Sequence, residues 1–204
     1  MIVPPLDGAA TLLEAALAGG DVASVILAPG ELDPARYQAH CTELAAIAQR
    51  HDVAALVCDD TQVMGRSGAD GVFLTRPEGD LKEIVARFSP QKIVGCGGAR
   101  DRHRALEIGE ANPDFLFFGK LDGDIRPEPH PKNLALAQWW SQMIEIPCVV
   151  MGGSAVDSVV ECVASGAEFV ALSLAVFACT DGPESAVVLA NRLIDENTAL
   201  IGEV

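Results

Sequence analysis

Aromatic residues are scarce in this chain, 5% of its 204 residues, and Lys plus Arg number 14 against 29 Asp plus Glu. The resulting net charge of −15 repels a phosphate backbone, so nucleic-acid binding is excluded as a main role. One small phosphorylated ligand stays compatible, because local amides and a few basic side chains can hold it. No uninterrupted apolar run of about 18 residues is present, so no membrane span is expected, and no signal peptide opens the chain. The six cysteines, at 41, 58, 96, 148, 162 and 179, include no Cys-x-x-Cys pair. Most sit inside apolar runs, which suits reduced, buried thiols of a cytoplasmic protein better than disulfides or a zinc site. The first strand lacks a following Gly-x-Gly-x-x-Gly, which removes the main support for an open, doubly wound sheet.

What is present is a core: 50% of the residues are hydrophobic, enough for one domain spanning 1–204. Short β-branched runs alternate with helical periodicities along the whole chain. Met1-Ile-Val, 22–28, 53–57, 71–74, 92–95, 115–118, 149–150 and 169–177 read as strands. Between them, 11–17, 34–50, 62–67, 80–88, 102–110, 132–144 and 156–164 read as helices, and 183–196 closes the chain as another. Asp33-Pro34 is a cap followed by proline in the first turn. Eight alternating pairs predict a parallel sheet with helices on its faces, at the length of a compact (β/α)8 TIM barrel. Gly68-Ala-Asp-Gly-Val and Gly166-Ala-Glu-Phe-Val echo each other, both running from a helix-ending glycine into a strand.

In such a barrel the chemistry gathers at the carboxyl ends of the strands. The turn Gly152-Gly153-Ser154 sits where a strand gives way to a helix. Glycines there let backbone N–H groups approach an anion, so the turn is a phosphate candidate, and equally a tight connection. Ser173 follows the last strand. Arg100 can reach a phosphate from the Gly97-Gly98 turn, and Lys120 and Lys132 flank a proline-rich loop, 121–131, that lies beside the mouth. Asp59 and Glu78, from adjacent strand ends, can hold one Mg2+ that shares phosphate oxygens with a ligand. The competing reading makes Asp60 and Glu78 ordinary helix-start acids. No nucleophile–base pair can be placed, and the sequence leaves the oligomeric state, including a homo-oligomer, open.

Ala69-Asp-Gly-Val-Phe-Leu, Ile93-Val-Gly, Asp114-Phe-Leu-Phe-Phe-Gly, Pro147-Cys-Val-Val-Met-Gly-Gly and Gly166-Ala-Glu-Phe-Val-Ala follow one another in order. Together they resemble thiamine-phosphate synthase and its relative the thiazole tautomerase, which are small (β/α)8 barrels. The resemblance implies a reaction joining hydroxymethylpyrimidine diphosphate to a thiazole phosphate, with diphosphate released. It also implies Mg2+ and basic side chains on the leaving diphosphate, and the glycine turn on the thiazole phosphate. By position Asp59 matches the metal-binding aspartate, Glu78 the second metal acid, Lys132 the lysine ending the long loop, and Gly153 the phosphate-turn glycine.

Several family positions are replaced. The Gln-x-Arg-x-Lys pattern that grips diphosphate after the second strand is Val25-Ile-Leu-Ala-Pro-Gly here, without a basic group. Cys58 stands for the asparagine before the metal aspartate, and Phe73-Leu-Thr-Arg for the usual His-x-Gly-Gln. Gly97 replaces a serine, Leu174 replaces another with Ser173 one place early, and the tautomerase histidine has no match in Cys96-Gly-Gly-Ala-Arg. Two readings therefore stand: a divergent synthase that still forms the carbon–nitrogen bond, and a lapsed paralogue that binds a small phosphorylated ligand as carrier or regulator.

Overall fold

A computed structural model describes residues 1–77, 79 and 81–201. Eight strands lie in the order β1 to β8, every neighbouring pair parallel. They are β1 Ile2–Val3, β2 Ser24–Leu27, β3 Ala54–Cys58, β4 Gly71–Leu74, β5 Ile93–Cys96, β6 Phe115–Phe118, β7 Cys148–Met151 and β8 Phe169–Ala171. The Ile2 amide donates to the Leu172 carbonyl just past β8, at 2.9 Å, which brings the two edges together and makes the sheet a barrel. The helices are α1 Ala9–Ala18, α2 Pro34–Arg50, α3 Thr61–Ser67, α4 Leu81–Phe88, α5 Arg102–Gly109, α6 Pro131–Met143, α7 Val159–Ala164, α8 Leu174–Phe177 and α9 Pro183–Ile201.

Local chemistry sets the boundaries. The Asp33 carboxylate accepts from the amides of Ala35 and Arg36, and Pro34 opens α2 without needing an N–H. Gly68 ends α3 in the left-handed conformation, φ 73°, which an L side chain resists. The echo between Gly68 and Gly166 extends to the acids behind them. Asp70, Asp114 and Glu168, each near the start of an even strand, accept from the amides of Ala55, Val94 and Cys148 at the start of the preceding odd strand. The lower rim is thus stitched by the same carboxylate–amide bond three times.

Inside the barrel, Ile2, Ile26, Leu56, Cys58, Phe73, Phe117, Met151 and Ala171 form one buried cluster. Phe73 and Phe117 meet edge to face at 5.4 Å. The space a Cβ on Gly95 would take is filled by the Phe115 ring, 2.1 Å away. The opposite strand faces pack against the helices, where Trp140 is fully buried and its Nε1 donates to the Ile146 carbonyl at 2.7 Å. All six cysteines are free, and burial pushes the Cys96, Cys148 and Cys162 thiols up to about 12, so these are packing groups rather than nucleophiles.

Two of the expected elements differ in kind as well as in length. The apolar stretch 169–177 stays extended for only three residues and then turns at Ser173 into α8. A short apolar run without Gly or Pro reads the same as a buried strand or a buried helix, and closure of the barrel needs only the first part. The helix expected at 156–164 begins with a 3-10 turn at Val156–Ser158.

Candidate active site at the barrel mouth

The candidate residues stand at the carboxyl ends of the strands, and the structure divides them into two groups. The first surrounds the Gly152-Gly153-Ser154 turn after β7. Here the Gly152 amide donates to the Ala171 carbonyl and the Gly153 amide to Ser158 Oγ, both at 2.9 Å. The Ser154 amide donates to the Arg126 carbonyl at 2.7 Å and the Ala155 amide to the Pro127 carbonyl at 3.3 Å. The loop after β6 therefore lies directly on the turn. It lies so close that a Cβ on Gly153 would stand 1.9 Å from the Pro127 oxygen. Glycine is required at 153 by this approach of two backbones.

The same loop buries one acid. Asp124 is 2% exposed, and its Oδ2 accepts from the Leu174 amide at 2.5 Å. Ser173, also buried, precedes that amide, so the stretch expected to deliver Ser173 from a strand presents it at the start of α8. Lys120 is exposed at the loop's beginning. At its end His130 Nδ1 accepts from the Lys132 amide, which makes His130 the cap of α6.

The second group spans β2 to β5. Both carboxylate oxygens of Asp59 serve Thr75: Oδ1 accepts from its amide at 2.8 Å and Oδ2 from its hydroxyl at 2.5 Å. Asp59 holds a left-handed backbone, φ 55°. Asp60 caps α3 by accepting from the amides of Gln62 and Val63. The segment just past β2, Ala28-Pro-Gly, carries no basic side chain. Instead the Tyr37 hydroxyl donates to the Leu27 carbonyl and accepts from the Cys58 amide, tying the ends of β2 and β3 to α2. Burial raises both the Tyr37 hydroxyl and the Cys58 thiol above their usual ranges, so neither supplies charge.

Arg100 pairs with Asp101 at 3.8 Å and is largely exposed. Asp101 caps α5, and its carboxyl is held below the usual range first by the Arg104 amide, then by the charges of Arg100, His103 and Lys132. Arg100 is thus in ion-pair contact with Asp101, while Lys132 acts on the same acid through its charge alone. Arg102 stacks over Trp139 at 5.1 Å, and Arg104 donates to the Pro77 carbonyl and to Glu107, which are packing roles.

For Mg2+, Asp59 is the one member of the expected pair among the described residues, because Glu78 lies outside them. No group of three or more His, Cys, Asp or Glu side chains suited to a metal occurs among the described residues. With Asp60 engaged as a cap and Asp59 clamped by Thr75, the described donors do not by themselves make a Mg2+ site.

The length and proline content of the loop, which carries Arg126 and Pro127, mark it in the sequence as a cover beside the mouth, but nothing there singles out Asp124 or shows what the loop covers.

A family model described as thiamine monophosphate synthase matches residues 2–176. The chain belongs to that family. A thiamine-phosphate synthase of Hyphomonas neptunium is 33% identical over 96% of this chain and 92% of that protein. One of Rhodospirillum centenum is 31% identical over 95% and 96%. Among solved structures, a thiamine phosphate pyrophosphorylase from Pyrococcus furiosus superposes with a TM-score of 0.78 at 21% identity, over 96% of this chain and 95% of that one. A 3-hexulose-6-phosphate synthase reaches 0.72 at 20% identity, over 95% and 98%. These last two bear on the fold. In this chain the turn after β7 is covered by its own loop, and the β2 end carries no basic residue. No helix among the described residues is long and apolar enough to cross a membrane.

Proposed function

We propose that this chain is a single-domain thiamine-biosynthesis barrel of the cytoplasm. In this reading it binds one small phosphorylated ligand, a thiazole phosphate, at the Gly152-Gly153-Ser154 turn and does not join it to hydroxymethylpyrimidine diphosphate. The observation that supports this reading is the end of β2, where Leu27 and Cys58 are tied to Tyr37 and the segment Val25-Ile-Leu-Ala-Pro-Gly brings no basic side chain of its own to a leaving diphosphate. A hydrogen bond to a charged group contributes about 1.5–3 kcal/mol. Two such groups lost from a departing anion amount to roughly 10²–10⁴ in rate. Arg100, Lys120 and Lys132 remain on the β5–β6 side, and in this reading Ser154 at the turn and Ser173 after β8 assist the phosphate.

A second reading, an active synthase, draws on the near-complete coverage of relatives named thiamine-phosphate synthase. In that reading Asp59 with Glu78 takes up Mg2+ only together with substrate oxygens.

The deciding experiment incubates purified protein with both substrates and Mg2+ and measures diphosphate. Expected are no release beyond background and a thermal shift with thiazole phosphate but none with the pyrimidine diphosphate. Release exceeding the enzyme concentration would establish the second reading instead.

A further inference from the structure

The loop between β6 and α6 is exposed at Asp122, Gly123 and residues 125–128, with Ile125 79% exposed, yet Asp124 between them is buried. A single inward acid in an outward loop needs partners, because an unpaired buried carboxylate is costly. Its partner here is the Leu174 amide. Two residues further on, the Arg126 and Pro127 carbonyls take the Ser154 and Ala155 amides. Three amides that face the mouth are thereby filled by two carbonyl oxygens and a carboxylate oxygen of the same short segment. Each amide has one N–H, so an oxygen of the protein and an oxygen of a ligand cannot both accept from it. A carboxylate and a phosphate at adjoining positions also repel each other.

We propose that residues 120–130 are an autoinhibitory strap in which Asp124, with the carbonyls of Arg126 and Pro127, stands in for a bound phosphate. A phosphorylated ligand then binds only when the strap lifts. The inference rests on the reading of the glycine turn as the anion site. Gly119, at φ 144°, marks one end of the segment, and prolines 127, 129 and 131 limit its shape at the other. Its outer face is exposed, and besides the three amide hydrogen bonds it is held by Leu121 on the inner cluster and by the Pro127 carbonyl against Gly153. In population terms the apparent affinity of the turn is reduced by the fraction of molecules with the strap raised.

The test compares binding of inorganic phosphate and of thiazole phosphate, by calorimetry, to the unmodified protein, Asp124→Ala and Asp122→Ala. The last removes the same charge from an exposed position of the same loop. The expected result is that Asp124→Ala binds about tenfold or more tightly than the unmodified protein, with Asp122→Ala unchanged. Equal affinity in all three overturns the strap while leaving the turn as the site. Binding by none of them overturns the turn as an anion site and the strap with it. Should Asp124→Ala fail to fold, hydrogen exchange on the unmodified protein decides. Phosphate should speed exchange across 121–128, and unchanged exchange at a phosphate concentration that saturates binding counts against the strap.

Discussion

Between β6 and β8 the mouth of the barrel is closed mostly by backbone: the amides of Gly152, Ser154 and Ala155 find carbonyls, those of Gly153 and Leu174 find Ser158 Oγ and Asp124, and two loops touch so closely that position 153 has no room for a Cβ. Between β2 and β5 the mouth is finished by side chains. Asp59 is clamped by Thr75, Asp60 caps a helix, and Arg100 rests on Asp101 at the surface. Backbone contacts survive the exchange of side chains, and side-chain contacts do not. Under the proposed function, this contrast accounts for how the glycine-turn half can keep its form while the β2 end carries no basic group. It also predicts that the two halves respond unequally to substitution.

The largest effect is expected at Gly153. Gly153→Ala pushes a methyl group onto the Pro127 carbonyl, and neither partner is the flexible end of a side chain. Overpacking of this kind costs about 1–3 kcal/mol. In a chain of this size that lowers the melting temperature by about 2–4 °C per kcal/mol. A variant that unfolds at the wild-type urea midpoint would show that the strap does not press on the turn.

A smaller loss is expected from the open half. Asp59→Ala leaves the Thr75 amide and hydroxyl without their shared acceptor. Asp59 is exposed and water can substitute in part, so about 1 kcal/mol is expected. Thr75→Val removes one of the two bonds and should cost less, by the same urea titration. Running both with and without Mg2+ sharpens the comparison. If Mg2+ stabilises the unmodified protein and not Asp59→Ala, the open half is a working cation site rather than a hydrogen-bonded relic.

The difference between the halves also explains what the sequence discloses. The barrel is legible because strand and helix periodicities alternate eight times and are punctuated by local signals such as Asp33-Pro34 and Gly68, whose effects act within a few residues. The uncharged β2 end is legible too, since Val25-Ile-Leu-Ala-Pro-Gly carries no basic residue. The strap is not, because Asp124 meets Leu174 across 50 residues and nothing in Asp122-Gly-Asp124 distinguishes the buried acid from the exposed one. Ser173 escapes for another reason. Nine apolar-rich residues with no breaker leave the strand's end to be set by barrel closure rather than by composition.

The smallest effect concerns the two cations the structure does bring together. Arg100→Ala and Lys132→Ala, singly or combined, are expected to change stability by less than about 0.5 kcal/mol, measured by the same denaturation. Arg100 sits 3.8 Å from Asp101 with its side chain 86% exposed, where solvent screens the pair. The cap that Asp101 places on α5 comes first from the Arg104 amide, which neither substitution touches. A stability loss beyond 1 kcal/mol in the double variant would mean that this corner is held by charge. The open half would then be as firmly built as the closed one, and the contrast between backbone-made and side-chain-made rims would not hold.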